Sequence, residues 1–279
     1  MFTINCKGKI LSLADPLVMG IINATPDSFY QGHLQDGVDA MVAFAEHMHA
    51  DGADILDIGG QSTRPGSERI TGEEESARVL PLIMAIHEKM PDVIISIDTY
   101  YSSVAKAAVA AGASIVNDIS AGNIDNAMLD TVAALHTPYI CMHMKGEPAT
   151  MQQEAVYEDV VKEVLDFFIS KINSCSKAGI KDIIIDPGFG FAKTIEQNFR
   201  LLRSLSVFSI TGKPILAGLS RKSTIYKTLG ITADQALNGT TVANTMALMN
   251  GASILRVHDV KAAKEAVTLF NAYKKAPQN

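Results

Sequence analysis

Most residues able to do chemistry in this chain fall at one recurring place, directly after a short run of apolar, often β-branched residues. They are Asn23, Asp98, Asn117, Asp118, His143, Asp186, Ser220 and His258. Ile97-Asp98-Thr99 and Val116-Asn117-Asp118 end consecutive runs and set an acid beside an amide, a pair able to read the edge of a polar heterocycle. In Asp186-Pro187-Gly188-Phe189-Gly190-Phe191 the proline stops the run, the glycines let backbone approach a ligand, and Phe191 supplies a flat wall. Helix capping is the other role open to Asp186. Gly218-Leu219-Ser220-Arg221-Lys222-Ser223 places two cations where a helix can begin. Consecutive cations oppose the helix dipole there, whereas free N–H groups at a helix start attract carboxylates and phosphates, so an anion is the expected partner and a basic cap the alternative.

Leu255-Arg256-Val257-His258-Asp259 puts Arg256 and His258 on the same side of an extended chain. An arginine inside an apolar run is costly to bury unpaired and so needs an acid or an anionic ligand. Asn23-Ala24-Thr25-Pro26-Asp27-Ser28-Phe29 is either simple turn chemistry or a site where Asn23 offers oxygen to a hard cation such as Mg2+. The glycine-rich stretch Asp57 to Ser67 carries Arg64 on a loop able to close over a substrate, unless that arginine is merely solvated.

Eight short apolar runs must position these groups: Val18–Ile22, Ile55–Ile58, Val93–Ile97, Ser114–Val116, Tyr139–Met142, Ile183–Ile185, Ile215–Ala217 and Ile254–Val257. Their near-continuous apolar character suits parallel strands covered on both faces. Amphipathic stretches such as Glu74–Met90, Tyr157–Lys177, Ile195–Leu205 and Lys261–Tyr273 supply the crossover helices that parallel strands require. The pattern is α/β, and eight such units without a dinucleotide-binding glycine fingerprint predict a closed (β/α)8 TIM barrel. Thr3–Leu13, turning at Lys7-Gly8-Lys9, predicts a short N-terminal β-hairpin over the N-terminal mouth. The polar residues then converge on the opposite rim. Closure makes the first and eighth strands neighbours, which brings Asn23 toward Arg256 and His258 as a pyrophosphate and metal pocket, and pairs Asp98 with Asn117 and Asp186 with Lys222 around one cavity.

At 279 residues and 47% apolar composition, a single domain spanning 1–279 is expected. With 24 Lys+Arg against 30 Asp+Glu the net charge is −6, which excludes a general nucleic-acid surface. Cys6, Cys141 and Cys175 form neither a zinc motif nor a disulfide framework, and a cytoplasmic location is expected. No run has the length of a membrane span, and the first thirteen residues lack the apolar core of a signal peptide. The apolar helical stretch Thr241–Met249 is either core or a dimer surface.

From Met19 to Val260 these motifs, in order, resemble the dihydropteroate synthase family. The resemblance is carried by Gly20-Ile21-Ile22-Asn23-Ala24-Thr25-Pro26-Asp27-Ser28-Phe29, Ser62-Thr63-Arg64-Pro65-Gly66, Ser96-Ile97-Asp98-Thr99, Val116-Asn117-Asp118, Met142-His143-Met144, Asp186 to Phe191, Ser220-Arg221-Lys222-Ser223 and Arg256 to Val260. It implies condensation of 6-hydroxymethyl-7,8-dihydropterin pyrophosphate with p-aminobenzoate, giving 7,8-dihydropteroate and pyrophosphate, with Mg2+ as the metal. Asp98, Asn117, Asp186 and Lys222 would hold the pterin edge, with Arg256 on its face. Asn23, Arg64, Arg256 and His258 would meet the pyrophosphate, and Asn23 the metal. Phe29, Thr63, Arg64, Pro65, Phe191, Ser220, Lys222 and Ser223 would surround p-aminobenzoate, and sulfonamides as its mimics.

The implied chemistry is a dissociative displacement at the pterin methylene, needing no side-chain nucleophile, with Lys222, Asp98, Asp186 and Arg256 as its catalytic groups. The family is usually homodimeric. The sequence departs from its commonest wording at Gln61, where Glu is usual, and at Ala192, where Gly often follows the phenylalanine. The alternatives are a pterin-dependent methyltransferase, which has no use for the Ser-Thr-Arg-Pro loop, and a pterin-binding paralogue without turnover.

Overall fold

The computed structural model describes residues 2–25, 34–61, 69–147, 150–151 and 153–277. Its strands are β1 (Thr3–Cys6), β2 (Lys9–Ser12), β3 (Leu17–Asn23), β4 (Ile55–Gly59), β5 (Ile94–Asp98), β6 (Ile115–Asp118), β7 (Tyr139–Met142), β8 (Ile183–Asp186), β9 (Leu216–Ala217) and β10 (Ile254–Val257). The helices are α1 (Leu34–Ala50), α2 (Gly72–Lys89), α3 (Ser102–Ala111), α4 (Met128–Leu135), α5 (Val160–Ala178), α6 (Ile195–Arg203), α7 (Ser223–Leu229), α8 (Leu237–Met249) and α9 (Val260–Lys275). Strands β3 to β10 form a parallel sheet in the order β8-β7-β6-β5-β4-β3-β10-β9. A parallel bridge between Ile185 and Ile215 joins its two ends, so the sheet closes into the expected barrel. The extents differ from the sequence reading by a few residues, chiefly in that Asp98, Asn117, Asp118 and Asp186 lie within their strands and not after them.

Strand alternation divides the side chains into two populations. The outward set, including Val18, Ile22, Leu56, Ile58, Ile95, Ile97, Val116, Ile183, Ile185, Ala217, Leu255 and Val257, packs with the helices in one continuous core. The inward set begins with a second core to which every barrel strand contributes: Leu17 and Met19 from β3, then Ile55, Ile94, Ile115, Ile140, Ile184, Leu216 and Ile254. Ile4 and Cys6 of the hairpin, with Leu13 just after it, join this layer from below, so β1 and β2 seal the N-terminal end as the sequence predicts. Lys7 and Lys9 fasten the hairpin turn by donating to the carbonyls of Val109 and Pro91. Each such buried aliphatic side chain contributes about 1.5–3 kcal/mol relative to exposure. Above this apolar floor the inward positions turn polar.

The helix starts matter where they set residues near the mouth. Thr71 and Glu74 form a capping box ahead of α2. Thr194 and Gln197 form another ahead of α6, stopping the post-β8 loop at a fixed point.

Candidate active site

The polar layer is built from neighbouring strands in register: Asp57 on β4 faces Ser96 on β5, and Asp98 on β5 faces Asn117 on β6. Arg256 of β10 crosses to them from the other side. It donates through Nε to Asp57 Oδ2 at 2.6 Å and through Nη2 to Asp98 Oδ2. Asn117 donates through Nδ2 to the same Asp57 oxygen at 3.0 Å. The partner that a buried arginine needs is therefore a pair of aspartates, and the Arg256 side chain keeps 20% of its surface exposed.

Across the cavity, Asp186 accepts from the Gly188 N–H at 2.8 Å. Lys222, the residue that caps α7, donates to the Phe189 carbonyl and stands 4.7 Å from the centre of the Phe191 ring. Gly218 lies between these groups: a Cβ there would be 3.7 Å from Lys222 Nζ, 3.9 Å from Asp186 Oδ2 and 4.0 Å from Arg256 Cβ. The missing side chain leaves that space to a ligand.

Three carboxylates, Asp57, Asp98 and Asp186, thus share two cations, Arg256 and Lys222. Burial raises the Asp98 carboxyl, and Asp57, Asp118 and Asp186 add to the rise against the opposing pull of Arg256. Burial likewise raises Asp186, opposed by Lys222 and the Gly188 N–H. Lys222 falls to about 8, because loss of solvent outweighs the attraction of Asp186. Burial also works against the Arg256 charge, but Asp57 and Asp98 hold it above the usual guanidinium value. The surplus of acid suits a ring that carries N–H donors and gains positive charge.

On the rim, β10 lies against β3 with Val257 opposite Gly20, so His258 and Asn23 rise on adjacent strands. His258 Nδ1 is 3.0 Å from Ser220 Oγ, which also accepts from the His258 N–H at 3.2 Å. Ser220 is therefore buried against His258. Burial and Arg256 depress the imidazole to about 4, leaving it neutral near pH 7. Asn23 ends β3 and is exposed. Ser223 opens α7. Phe29, Thr63, Arg64 and Pro65 lie outside the described residues.

Three residues take other partners: Asp118 and His143, which strand alternation points outward, and Arg221, which lies in the turn after β9. Asp118 accepts from Ser120, Gly122 and Tyr139. His143 packs edge-on to Phe167 with ring centres 4.8 Å apart. Arg221, the first of the two consecutive cations, makes a bidentate pair with Asp259 at 2.9 and 2.8 Å and takes no place beside Lys222.

The sequence reading passed over Asp57 and Gly218. Asp57 carried a usable signal, being an aspartate in an otherwise apolar strand, which is the pattern that marked Arg256. The two departures from family wording also find places. Gln61 Oε1 accepts from the Ile70 N–H at 2.9 Å. Ala192 has φ +48°, a left-handed conformation in which glycine is the usual residue, and its methyl joins an apolar cluster with Tyr100, Ile119, Met142 and Met144.

A barrel sealed at one end, with an acid-rich pocket holding two cations at the other, is the architecture of the pterin-binding barrel enzymes. The family described as pterin binding enzyme matches residues 19–258. The dihydropteroate synthase of Escherichia coli K12 is 41% identical over 275 residues, covering 98% of this chain and 97% of that one. The structure of Xanthomonas albilineans dihydropteroate synthase with 4-aminobenzoic acid superposes with a TM-score of 0.92 at 42% identity, covering 99% of both chains. That of the Yersinia pestis enzyme with a sulfonamide drug gives 0.93 at 37%, covering 99% of this chain and 100% of that one. This chain belongs to the dihydropteroate synthase family.

Proposed function

We propose that the chain condenses 6-hydroxymethyl-7,8-dihydropterin pyrophosphate with p-aminobenzoate, releasing pyrophosphate and 7,8-dihydropteroate. The observation that supports this is one polar layer in the mouth, in which Arg256 is held by Asp57 and Asp98, Asn117 donates to the same Asp57 oxygen, and Asp186 and Lys222 border the space left by Gly218. The carboxylates and amide accept from and donate to the pterin edge, and Lys222 donates to it. Arg256 presents its open surface to the ring and to the leaving group. As the C–O bond breaks, positive charge spreads from the methylene into the pterin, where Asp98 and Asp186 stabilise it. The aryl amine nitrogen then forms the C–N bond to the methylene and releases a proton to solvent as pyrophosphate leaves, so no side-chain nucleophile is required.

Phe191 and Lys222 form the wall for p-aminobenzoate, with Ser223 at the start of α7 toward its carboxylate and Ser220 acting through His258. The same reading gives Phe29, Thr63, Arg64 and Pro65, which lie outside the described residues, a part in binding p-aminobenzoate. Sulfonamides, which copy the ring and its polar end, compete there. Asn23, Arg64, Arg256 and His258 receive the pyrophosphate.

Mg2+ fits the donor set at the rim. Among the described residues no group of three or more His, Cys, Asp or Glu is placed to hold a metal. A hard cation that keeps most of its waters needs only the Asn23 oxygen together with substrate phosphates. When bound, it would neutralise charge on the departing pyrophosphate.

The same reading makes the protein a homodimer that uses α8. One side of that helix is core, with Ala243, Asn244, Ala247 and Leu248 buried, while Val242, Met246 and Met249 are apolar and exposed on the other. Sedimentation of the wild type against Val242→Glu tests it, and a monomeric wild type would refute it. A cytoplasmic setting accords with three buried, unpaired cysteines; no described helix is long and apolar enough to cross a membrane.

The decisive experiment incubates the protein with both substrates and measures pyrophosphate and 7,8-dihydropteroate. Equal amounts of the two are expected, and absence of dihydropteroate would refute the assignment. Calorimetry of pyrophosphate with and without Mg2+, on wild type and Asn23→Ala, tests the metal. Equal affinity in all four titrations would exclude it.

A further inference from the structure

Lys193 lies behind the post-β8 loop, outside the mouth, and is only 3% exposed. Its Nζ has four acceptors around it. They are His143 Nδ1 at 3.0 Å and the carbonyl oxygens of Gly188 at 3.0 Å, Phe191 at 3.0 Å and His143 at 3.3 Å. His143 stays neutral, since burial and the nearby lysines depress it to about 2, so its ring nitrogen can accept. An ammonium offers three N–H groups and no lone pair, whereas a neutral amine would turn a lone pair toward acceptors. The site is thus shaped for the charged form, although burial draws Lys193 down to about 7. A core position that needed only filling would take an apolar side chain at lower free energy.

The segment these contacts hold is the one that builds the pocket. Gly188, at φ +68°, passes so close to β7 that a Cβ would lie 2.0 Å from the His143 carbonyl oxygen. Its N–H goes to Asp186 at 2.8 Å, and the Gly190 N–H goes to Asn198 Oδ1 at 2.7 Å. Asn198 in turn donates to the Lys193 carbonyl at 3.2 Å and the Thr194 carbonyl at 2.7 Å. The intervening Phe189 carbonyl points the other way, to Lys222. Two lysines therefore grip one loop: Lys193 holds the carbonyls of Gly188 and Phe191, and Lys222 that of Phe189 between them.

We propose that Lys193 is a positioning residue that clamps residues 188–191 against the end of β7, fixing the Phe189 carbonyl that orients Lys222 and the Phe191 ring that Lys222 faces. Its consequence for turnover rests on the reading of Phe191 and Lys222 as the p-aminobenzoate wall. Lys193→Met keeps the aliphatic stem and removes the N–H donors. Loosening a wall that orients the second substrate raises KM for p-aminobenzoate by roughly tenfold or more, with a smaller change in kcat. Hydrogen–deuterium exchange of the amides from 188 to 191 rises in the same variant.

A role confined to stability would lower the unfolding midpoint and the active fraction but leave KM of the folded molecules unchanged. An unchanged KM in folded Lys193→Met, or unchanged exchange across 188–191, overturns the proposal. If Lys193→Met does not fold, Lys193→Gln, which keeps a polar end but is too short to reach all four acceptors, decides by the same two measurements. A wild type that forms no dihydropteroate refutes the functional reading instead, while the exchange measurement still judges the clamp.

Discussion

Asp57 Oδ2 accepts from Arg256 Nε at 2.6 Å although the two residues are 199 positions apart in the chain. The bond ties β4 to β10 across the barrel interior, at the level where the apolar floor gives way to the mouth, and Asp57 is fully buried. Removing Asp57 leaves Arg256 with Asp98 alone and takes the acceptor from the Asn117 amide. Asp57→Ala should therefore lose about 1–3 kcal/mol of stability, the cost of a stranded buried polar group, read from urea unfolding. A loss below about 1 kcal/mol, the range of surface pairs, would show that the pair contributes little.

Lys222→Ala and Asp186→Ala should each lower kcat/KM by about a hundredfold or more, since each removes a charge aimed at the reacting ring, while circular dichroism stays that of the wild type. Near-normal turnover in either variant would mean that the pterin pocket is misplaced.

Gly218→Ala separates room for a ligand from folding. The added methyl meets only ordinary contacts, the nearest at 3.7 Å, and φ there is not in the left-handed range. The unfolding midpoint should hold while KM for the pterin pyrophosphate rises by roughly tenfold or more, the scale of one misplaced carbon in a fitted pocket. An unchanged KM would remove Gly218 from the site.

Glu75 gives a pH prediction with a definite sign. This buried residue of α2 accepts from Thr99 at 2.8 Å, its other oxygen has no partner among the described residues, and burial raises the carboxyl to about 7. The folded state therefore holds a proton that the unfolded chain releases above about 4.5. Its stabilising contribution is complete below pH 4.5 and is lost as pH rises through 7. Relative to wild type, Glu75→Gln should gain about 3 kcal/mol between those limits, seen as diverging unfolding midpoints. Parallel pH profiles would show that Glu75 is ionised in the fold.

Much of this was legible in the chain because barrels repeat. Each strand announces itself by a short apolar run, and closure makes neighbours of residues as distant as Asn23 and His258. The same repetition hides direction. A polar residue at a strand end looks equally useful whether it faces the mouth, as Asp98 does, or the helix layer, as Asp118 and His143 do. Only the register separates them. Asp57 was concealed by a glycine-rich loop directly after it that drew attention to Arg64, and Lys193 by its resemblance to an ordinary residue before a helix. Its four acceptors are backbone and imidazole groups that become neighbours only when the post-β8 loop folds back on β7.

The hairpin plug has a kinetic meaning. With Ile4, Cys6 and Leu13 closing the floor, the barrel is a cup and not a tube, and every molecule that reaches Asp57 and Asn117 enters and leaves by the same opening. What sits deepest must arrive first and depart last. A tight occupant of the upper wall beside Phe191 therefore traps whatever lies beneath it, so an inhibitor placed there would hold its lower neighbour in the protein as well as exclude a rival.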